Sequence, residues 1–170
     1  KIHCEPNGNF PHNPEPLAKH LTDLSNAVID NGADLGIAVD PDVDRLVFMD
    51  EKGVLFGEEY TLVACADYVL KHTPGNTVSN LSSTRALAEV TQPHGGDYAA
   101  SAVGEAHVVA LMKKTNAVIG GEGNGGVIYP ELHYGRDALV GIALFLTQLT
   151  IENTTVSALK SKYPNWLMRK

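Results

Sequence analysis

The sequence predicts an α/β fold in which layered mixed sheets are flanked by helices. Short apolar runs, typical of strands, alternate with longer amphipathic runs, typical of helices. Segments containing Gly and Pro separate these runs, as at 73–75 and 95–96. Because the alternation continues through residues 55–162, we expect this part of the chain to be one complete layered domain.

Residues 1–54 contain fewer elements. Residues 1–5 fit a short strand, and the composition of 7–16 indicates a loop. A helix is expected next, because apolar residues recur at helical spacing between a proline suited to a first turn and a glycine suited to a C-cap. A buried strand, its return strand and a turn follow. The helix residues are Pro16, Leu17, Leu21, Leu24, Val28 and Gly32, the strands are 37–39 and 46–49, and the turn is 50–53.

The second block repeats the alternation of helix and strand. Asp137 and Thr155 each precede a helical run and are suitable N-cap residues. The segment 163–170 has the composition of a linker. In order, the predicted elements are an amphipathic helix at 60–71, a strand at 77–81, a helix capped by 82–84, a strand at 98–103, a helix at 106–114, strands at 117–119 and 127–129, a helix at 138–149 and a short helix from 155.

The overall composition excludes several classes of partner. The net charge of −7 in 170 residues argues against binding to nucleic acid and to an anionic membrane surface. No apolar run reaches the roughly 18 residues that a membrane span requires. The two cysteines, Cys4 and Cys65, lie far apart, which favours a reduced, cytoplasmic protein. The chain begins at Lys1 without a signal peptide or Met, which suggests a processed chain or one cut from a longer protein.

Three aspartates follow the first predicted strand at alternate positions. Asp40, Asp42 and Asp44 lie on one side of an extended backbone, and their mutual repulsion should raise their pKa values. A hard cation removes this repulsion, and Mg²⁺ prefers oxygen ligands. Because α/β proteins bind ligands at strand ends, the pattern predicts a Mg²⁺ loop. A solvated acidic turn is the alternative.

Two other motifs compete for the same residues. An EF-hand loop counted from Asp40 places Glu51 correctly at position 12 but Arg45 at position 6, where Gly is required. A non-catalytic calcium-binding module with Glu51 as a fourth ligand therefore stays open. A phosphatase of the haloacid-dehalogenase type has the pattern DxDx(T/V), which fails here by one residue, because Asp44 occupies the fifth position. Such a phosphatase also stays open as an alternative.

The segment 120–126, GGEGNGG, is rich in glycine. It contains G-x-G-x-x-G, but a dinucleotide site requires a helix directly afterwards, and a strand-like run ending in proline follows instead. Glycines let the backbone approach a ligand closely. We therefore expect Glu122 and Asn124 to project, exposed, from a mobile loop, where a carboxylate and an amide can bind adjacent sugar hydroxyls. A glycine-rich hairpin with a surface Glu is the alternative.

These motifs occur in the order found in the α-D-phosphohexomutases. Residues 40–45, Asp-x-Asp-x-Asp-Arg, resemble the metal loop of that family, with Pro41 and Val43 where the usual form has Gly. Residues 121–125 resemble its sugar-recognition loop, Gly-Glu-x-Ser-Gly, and Gly-Arg-Asp follows at 135–137. Asn124 stands in the place of Ser, and Gly126 follows where many members have His.

The resemblance implies a Mg²⁺-dependent enzyme that interconverts hexose 1-phosphate and hexose 6-phosphate through a hexose 1,6-bisphosphate. It assigns Mg²⁺ to Asp40, Asp42 and Asp44, and phosphoryl transfer to Arg45. Glu105 matches a position that handles a proton or binds the sugar, and a charge in the first turn of its helix is the alternative. Ser82 stands where some members have Lys. Arg136 is expected to pair with its neighbour Asp137, and a role as a phosphate ligand is the alternative. The residues assigned to sugar binding are Gly121, Glu122, Gly123 and Asn124.

The resemblance also divides the chain. Residues 1–54 correspond to the latter half of the family's second domain, 55–162 to its third domain and 163–170 to a linker toward the fourth. The phosphoserine loop and the fourth-domain phosphate loop are absent from the sequence, so we expect no mutase activity from this chain alone. Its partners would be the remaining mutase domains, and an open sheet edge in 1–54 leaves a homodimer as a further possibility.

Overall fold

A computed structural model describes residues 1–166 and confirms the α/β class. It contains two sheets, flanked by six helices. The predicted linker 163–170 therefore lies partly outside the described residues. The helices are α1 Thr22–Asn31, α2 Glu58–His72, α3 Ala86–Thr91, α4 Glu105–Thr115, α5 Ala138–Glu152 and α6 Val156–Lys160, and the strands are β1 Gly36–Val39, β2 Leu46–Met49, β3 Asn76–Asn80, β4 Tyr98–Ser101, β5 Ala117–Glu122 and β6 Gly126–Ile128.

The larger sheet is mixed and has the order β4-β3-β5-β6. β3 is parallel to β4 and β5, whereas β6 returns antiparallel to β5. Alternate side chains point to opposite faces. Val78 and Ile128 pack with α4 on one face, and Ile119 and Val127 pack with α2, α3 and α5 on the other. The carboxyl ends of β3, β4 and β5 thus meet at one edge, which is where ligands bind in open α/β sheets.

The smaller sheet is the antiparallel hairpin of β1 and β2, with Val39 opposite Leu46. All four residues of β2 are buried. Its Phe48 ring stacks on Phe145 of α5 with the ring centroids 3.7 Å apart, while Val47 and Met49 pack toward α1 with Leu21. The side chains of β2 therefore contribute to two hydrophobic clusters, one that contains Phe145 and one that contains Leu21. Through the first cluster, the hairpin packs against the rest of the fold. Among the described strands, β2 is the only partner of β1.

Three details differ from the sequence-based expectations. Residues 1–5 form no strand. The first α-helix begins at Thr22 rather than Pro16, because residues 18–20 form a 3-10 turn. Helix α2 is buried on nearly all sides rather than on one face, since it lies between the sheet, α3 and α5.

The predicted helix ends are mostly correct. Gly32 ends α1 in the left-handed conformation, and Asp137 and Thr155 accept backbone N–H bonds at the starts of α5 and α6. Residues 82–84 do not cap α3 at its N-cap residue, although the Thr84 hydroxyl accepts the N–H of Ala86. Within residues 1–166, every helix is too short or too polar to cross a membrane.

Candidate functional site

Asp40 organises the loop between β1 and β2. One of its carboxylate oxygens, Oδ1, accepts the backbone N–H groups of Asp44 at 3.1 Å and Arg45 at 3.0 Å, and its carbonyl oxygen accepts that of Val43. Aspartate side chains stabilise tight turns in this way. Val43 has a φ of 60°, which is unfavourable for a β-branched residue and lies at a spacer position where the resembling family has Gly. The loop is therefore folded by its first aspartate, which is only 7% exposed.

The three aspartates converge, as predicted, but residues 41–43 form a turn rather than the expected extended backbone. One oxygen from each of Asp40, Asp42 and Asp44 lies within 4.8 Å of the others. Burial raises the pKa of Asp44, and the nearby charges of Asp40 and Asp42 raise it further, whereas Arg136 opposes the increase. Oδ1 of Asp44 is buried and accepts no hydrogen bond from any described residue. A buried, unsatisfied carboxylate oxygen within a cluster of three carboxylates fits a hard cation such as Mg²⁺.

Arg45 lies at the rim of this cluster. Its Nε is 3.3 Å from Oδ2 of Asp40 and 3.9 Å from Oδ1 of Asp44, and its Nη1 is 3.6 Å from Glu15. The side chain is half-buried and lines a small cavity together with Asn124. The predicted phosphoryl-binding residue and one predicted sugar-binding residue therefore face the same space. The other residues that line the cavity are Glu15, Pro16, Leu17 and Glu58.

The glycine-rich segment forms a tight hairpin between β5 and β6, with Glu122 opposite Gly126. A Cβ atom would lie 2.0 Å from the Gly126 carbonyl oxygen if placed on Gly121, and 2.5 Å from the Glu59 carboxylate if placed on Gly123. These two glycines allow the chain to pack closely against itself in a tight turn, in place of the expected mobile loop. The close approach of this turn to a ligand stays a prediction.

Glu122 is 4% exposed, so the prediction of an exposed side chain is wrong. Its Oε1 accepts hydrogen bonds from Nδ2 of Asn80 at 2.7 Å and the N–H of Gly104 at 3.2 Å, and its Oε2 accepts one from Nη1 of Arg136 at 2.8 Å. A buried carboxylate is tolerated when it is paired and hydrogen-bonded in this manner. Glu122 therefore lies buried between Asn80, Gly104 and Arg136.

Arg136 contacts three carboxylates of the site. Its Nη2 binds Oδ2 of Asp44, and its Nη1 binds Glu122. Its Nε lies 3.5 Å from Glu105, which also accepts the Arg136 backbone N–H at 3.0 Å. The expected pairing with Asp137 is wrong, because Asp137 instead caps α5 and binds His133. Gly-Arg-Asp before a helix was the available signal, but it did not reveal partners distant in sequence.

Asn80 and Ser83 are two further residues of the site that were not predicted from the sequence. Oδ1 of Asn80 accepts a hydrogen bond from the Ser83 hydroxyl at 2.8 Å, and that hydroxyl oxygen accepts the N–H of Gly123 at the same distance. The pair thus connects the end of β3 to the glycine-rich turn. Several polar residues at the carboxyl end of a parallel strand could have indicated this role.

Glu51 does not lie in the aspartate cluster. It follows the far end of β2, where its carboxylate accepts the hydroxyl and the backbone N–H of Ser157. Strands rather than helices flank the aspartate loop. Both observations disfavour the EF-hand type of calcium site.

Comparisons with known proteins identify the family of both parts of the chain. Residues 49–166 match the model of phosphoglucomutase/phosphomannomutase alpha/beta/alpha domain III, and residues 1–53 match that of domain II. A probable phosphoglucosamine mutase of Methanopyrus kandleri is 34% identical over 167 residues, which are 97% of this chain and 37% of that protein.

Solved structures give the same picture. A phosphoglucomutase/phosphomannomutase family protein from Burkholderia thailandensis has a TM-score of 0.82 and 29% identity, over 95% of this chain and 36% of its own. The N-acetylphosphoglucosamine mutase of Aspergillus fumigatus, solved with GlcNAc-6P and magnesium, has a TM-score of 0.62 over 76% of this chain and 33% of its own. At 14% identity, that second likeness concerns the fold alone. The chain thus spans between a third and two fifths of these proteins.

Proposed function

Because the chain belongs to the phosphoglucomutase/phosphomannomutase family, we propose that it supplies the metal loop and the sugar-recognition loop of a longer phosphohexomutase. The observation that carries the proposal is the convergence of Asp40, Asp42 and Asp44 beside Arg45, with Arg136 joining Asp44 to Glu122. The residue types suit both parts of a sugar phosphate. Cations stabilise a phosphoryl group, whereas a carboxylate and an amide can bind sugar hydroxyls.

The proposed reaction interconverts hexose 1-phosphate and hexose 6-phosphate. A phosphoserine outside this chain gives its phosphoryl group to the free 6-hydroxyl, which loses a proton, and a hexose 1,6-bisphosphate forms. The 1-phosphoryl group then returns to the serine, leaving hexose 6-phosphate. Electrostatic stabilisation and positioning supply most of the rate in such transfers.

Each predicted site residue has a proposed role in this reaction. Arg45, at the rim of the cluster, stabilises charge on the phosphoryl oxygens. Glu122 and Asn124 bind adjacent sugar hydroxyls, and Gly121 and Gly123 shape their turn. Glu105, whose side chain remains 37% exposed, accepts the hydroxyl proton.

Asp40, Asp42 and Asp44 would hold the metal, and the unsatisfied Oδ1 of Asp44 supports that assignment. When bound, Mg²⁺ would supply Lewis-acid polarisation of a phosphoryl oxygen. Mg²⁺ is the first choice for testing, because this hard cation prefers oxygen ligands such as carboxylates.

The proposal extends to the organisation of the chain. We propose that residues 1–54 are part of a second mutase domain, 55–162 a third domain and the segment from 163 a connection to a fourth. The two free cysteines, Cys4 and Cys65, suit the cytoplasm, and the unpaired edge of β1 could pair with another copy of the chain to form a homodimer.

A coupled assay tests the proposed function. The longer protein that carries this chain is supplied with Mg²⁺, hexose 1,6-bisphosphate and the 1-phosphates of glucose, mannose, glucosamine or N-acetylglucosamine. Formation of at least one 6-phosphate is expected from the longer protein and none from the 170-residue chain alone. If the longer protein converts none of the four sugars, or the isolated chain matches its turnover, the assignment is wrong.

A further inference from the structure

Arg136 lies between the two loops and is 14% exposed. We propose that it is a positioning residue that fixes Asp44 for metal binding and Glu122 for sugar binding at the same time. The inference rests on the proposed function, and it adds to that function a residue outside the predicted metal and sugar motifs.

Arg136 binds one oxygen of Asp44 and one oxygen of Glu122. Its Nη2 binds Oδ2 of Asp44, which leaves the unsatisfied Oδ1 for a cation. Its Nη1 holds Oε2 of Glu122, while Asn80 and Gly104 hold Oε1. The rotation of each carboxylate is thus fixed by hydrogen bonds. Only a planar, forked guanidinium can hold both carboxylates in this geometry, because a lysine ammonium is a single point charge.

The structure fixes Arg136 itself as well. Its backbone forms a bridge with Ile128 at the end of β6 and donates to Glu105 at the start of α4. A side chain at position 126 would collide with it, since a Cβ on Gly126 would lie 2.4 Å from Cδ of Arg136. Gly126 therefore provides the space through which the arginine reaches the site.

This packing offers two independent ways to disturb the contact. Arg136→Lys keeps the positive charge and removes the fork. Gly126→Ala keeps the arginine and displaces its stem, and the residue does not require the left-handed backbone region that alanine avoids. Arg85→Lys is the matched control, because Arg85 is an exposed arginine of the same block that lies over Trp166.

Two measurements test the proposal. Calorimetric titration with Mg²⁺ alone gives the metal Kd of each variant chain, and the coupled assay in the longer protein gives KM for the hexose 1-phosphate. Residues that orient metal ligands typically change metal affinity or activity about 10–100-fold. We expect Arg136→Lys to raise both the Mg²⁺ Kd and KM by about tenfold or more, Gly126→Ala to change both in the same direction, and Arg85→Lys to change neither.

The outcomes separate this inference from the proposed function. If the wild-type protein is an active, Mg²⁺-binding mutase and Arg136→Lys leaves both constants unchanged, the positioning role is overturned while the function stands. Should Arg136→Lys fail to fold, Gly126→Ala decides, and unchanged constants there overturn the inference. A wild-type protein with neither Mg²⁺ binding nor turnover overturns both.

Discussion

Leu46 donates its backbone N–H to the carbonyl oxygen of Gly125 at 3.1 Å. Leu46 directly follows the proposed metal loop, and Gly125 lies in the proposed sugar-recognition turn. A second backbone bond, from Ala138 to the carbonyl oxygen of Val43, joins the proposed metal loop to the start of α5 at 3.0 Å. The two candidate loops are therefore held together by main-chain contacts within this chain, independently of any ligand.

The contact between Leu46 and Gly125 can be tested with a pair of glycine substitutions. Gly125 has a φ of +95°, and an added Cβ would lie 2.4 Å from the Leu46 carbonyl oxygen. Gly95 also has a positive φ, +74°, but an added Cβ there has no neighbour within 4 Å. Backbone strain alone costs about 1–2 kcal/mol. We expect Gly125→Ala to lower the free energy of unfolding by more than Gly95→Ala does, as measured by urea denaturation. Equal losses would show that the close approach is unimportant.

The burial of Glu122 predicts a role in stability, in addition to its proposed role in binding. Glu122→Ala leaves Nη1 of Arg136, Nδ2 of Asn80 and the Gly104 N–H without their acceptor. Removing one partner of a buried ion pair typically costs about 3–5 kcal/mol, and we expect a loss of this size in chemical denaturation. Glu89→Ala is the control, since Glu89 is exposed and accepts one bond from Trp166. A Glu122→Ala chain as stable as the control would contradict the observed network.

An ion-pair network around Glu152, at the C-terminal end of α5, predicts that the stability of the fold decreases in acid. Burial alone would raise the pKa of Glu152, but hydrogen bonds from Lys162, Lys71 and Gln148 lower it to about 2. A carboxylate with a lowered pKa stabilises the fold above its usual pKa of 4.5 and loses that contribution as the pH falls toward about 2. Glu152→Gln should therefore lower the melting temperature near neutral pH and have less effect at the acid end of this window. A difference from wild type that is constant over this pH range would contradict the prediction.

The parts of the site that could be predicted from the sequence are those set by neighbouring residues. Asp40, Asp42 and Asp44 converge because their alternate spacing and the Asp40 turn are local. The return strand β2 and the Asp137 cap are local in the same sense.

The predictions that were wrong or incomplete concern contacts between residues far apart in the sequence. Glu122 is buried because Asn80 lies 42 positions away in sequence and beside it in space. The contact between Arg136 and Asp44 spans 92 positions. Flanking glycines suggested a mobile Glu122, but the packing that requires those glycines is itself tertiary, as the contact of Gly125 with Leu46 illustrates.

A calorimetric titration of the chain with Mg²⁺, followed by thermal unfolding, tests most directly whether the three aspartates form a metal loop. We expect one weakly bound ion, because three carboxylates leave part of an octahedral shell to water. An excess of about 100 times the Kd should stabilise the fold by about 2.7 kcal/mol. Asp42→Asn should abolish this stabilisation and also raise the melting temperature of the metal-free chain, because Asp42 raises the pKa of Asp44 by repulsion. The absence of saturable Mg²⁺ binding, or an Asp42→Asn chain that binds Mg²⁺ as the wild type does, would contradict the metal site.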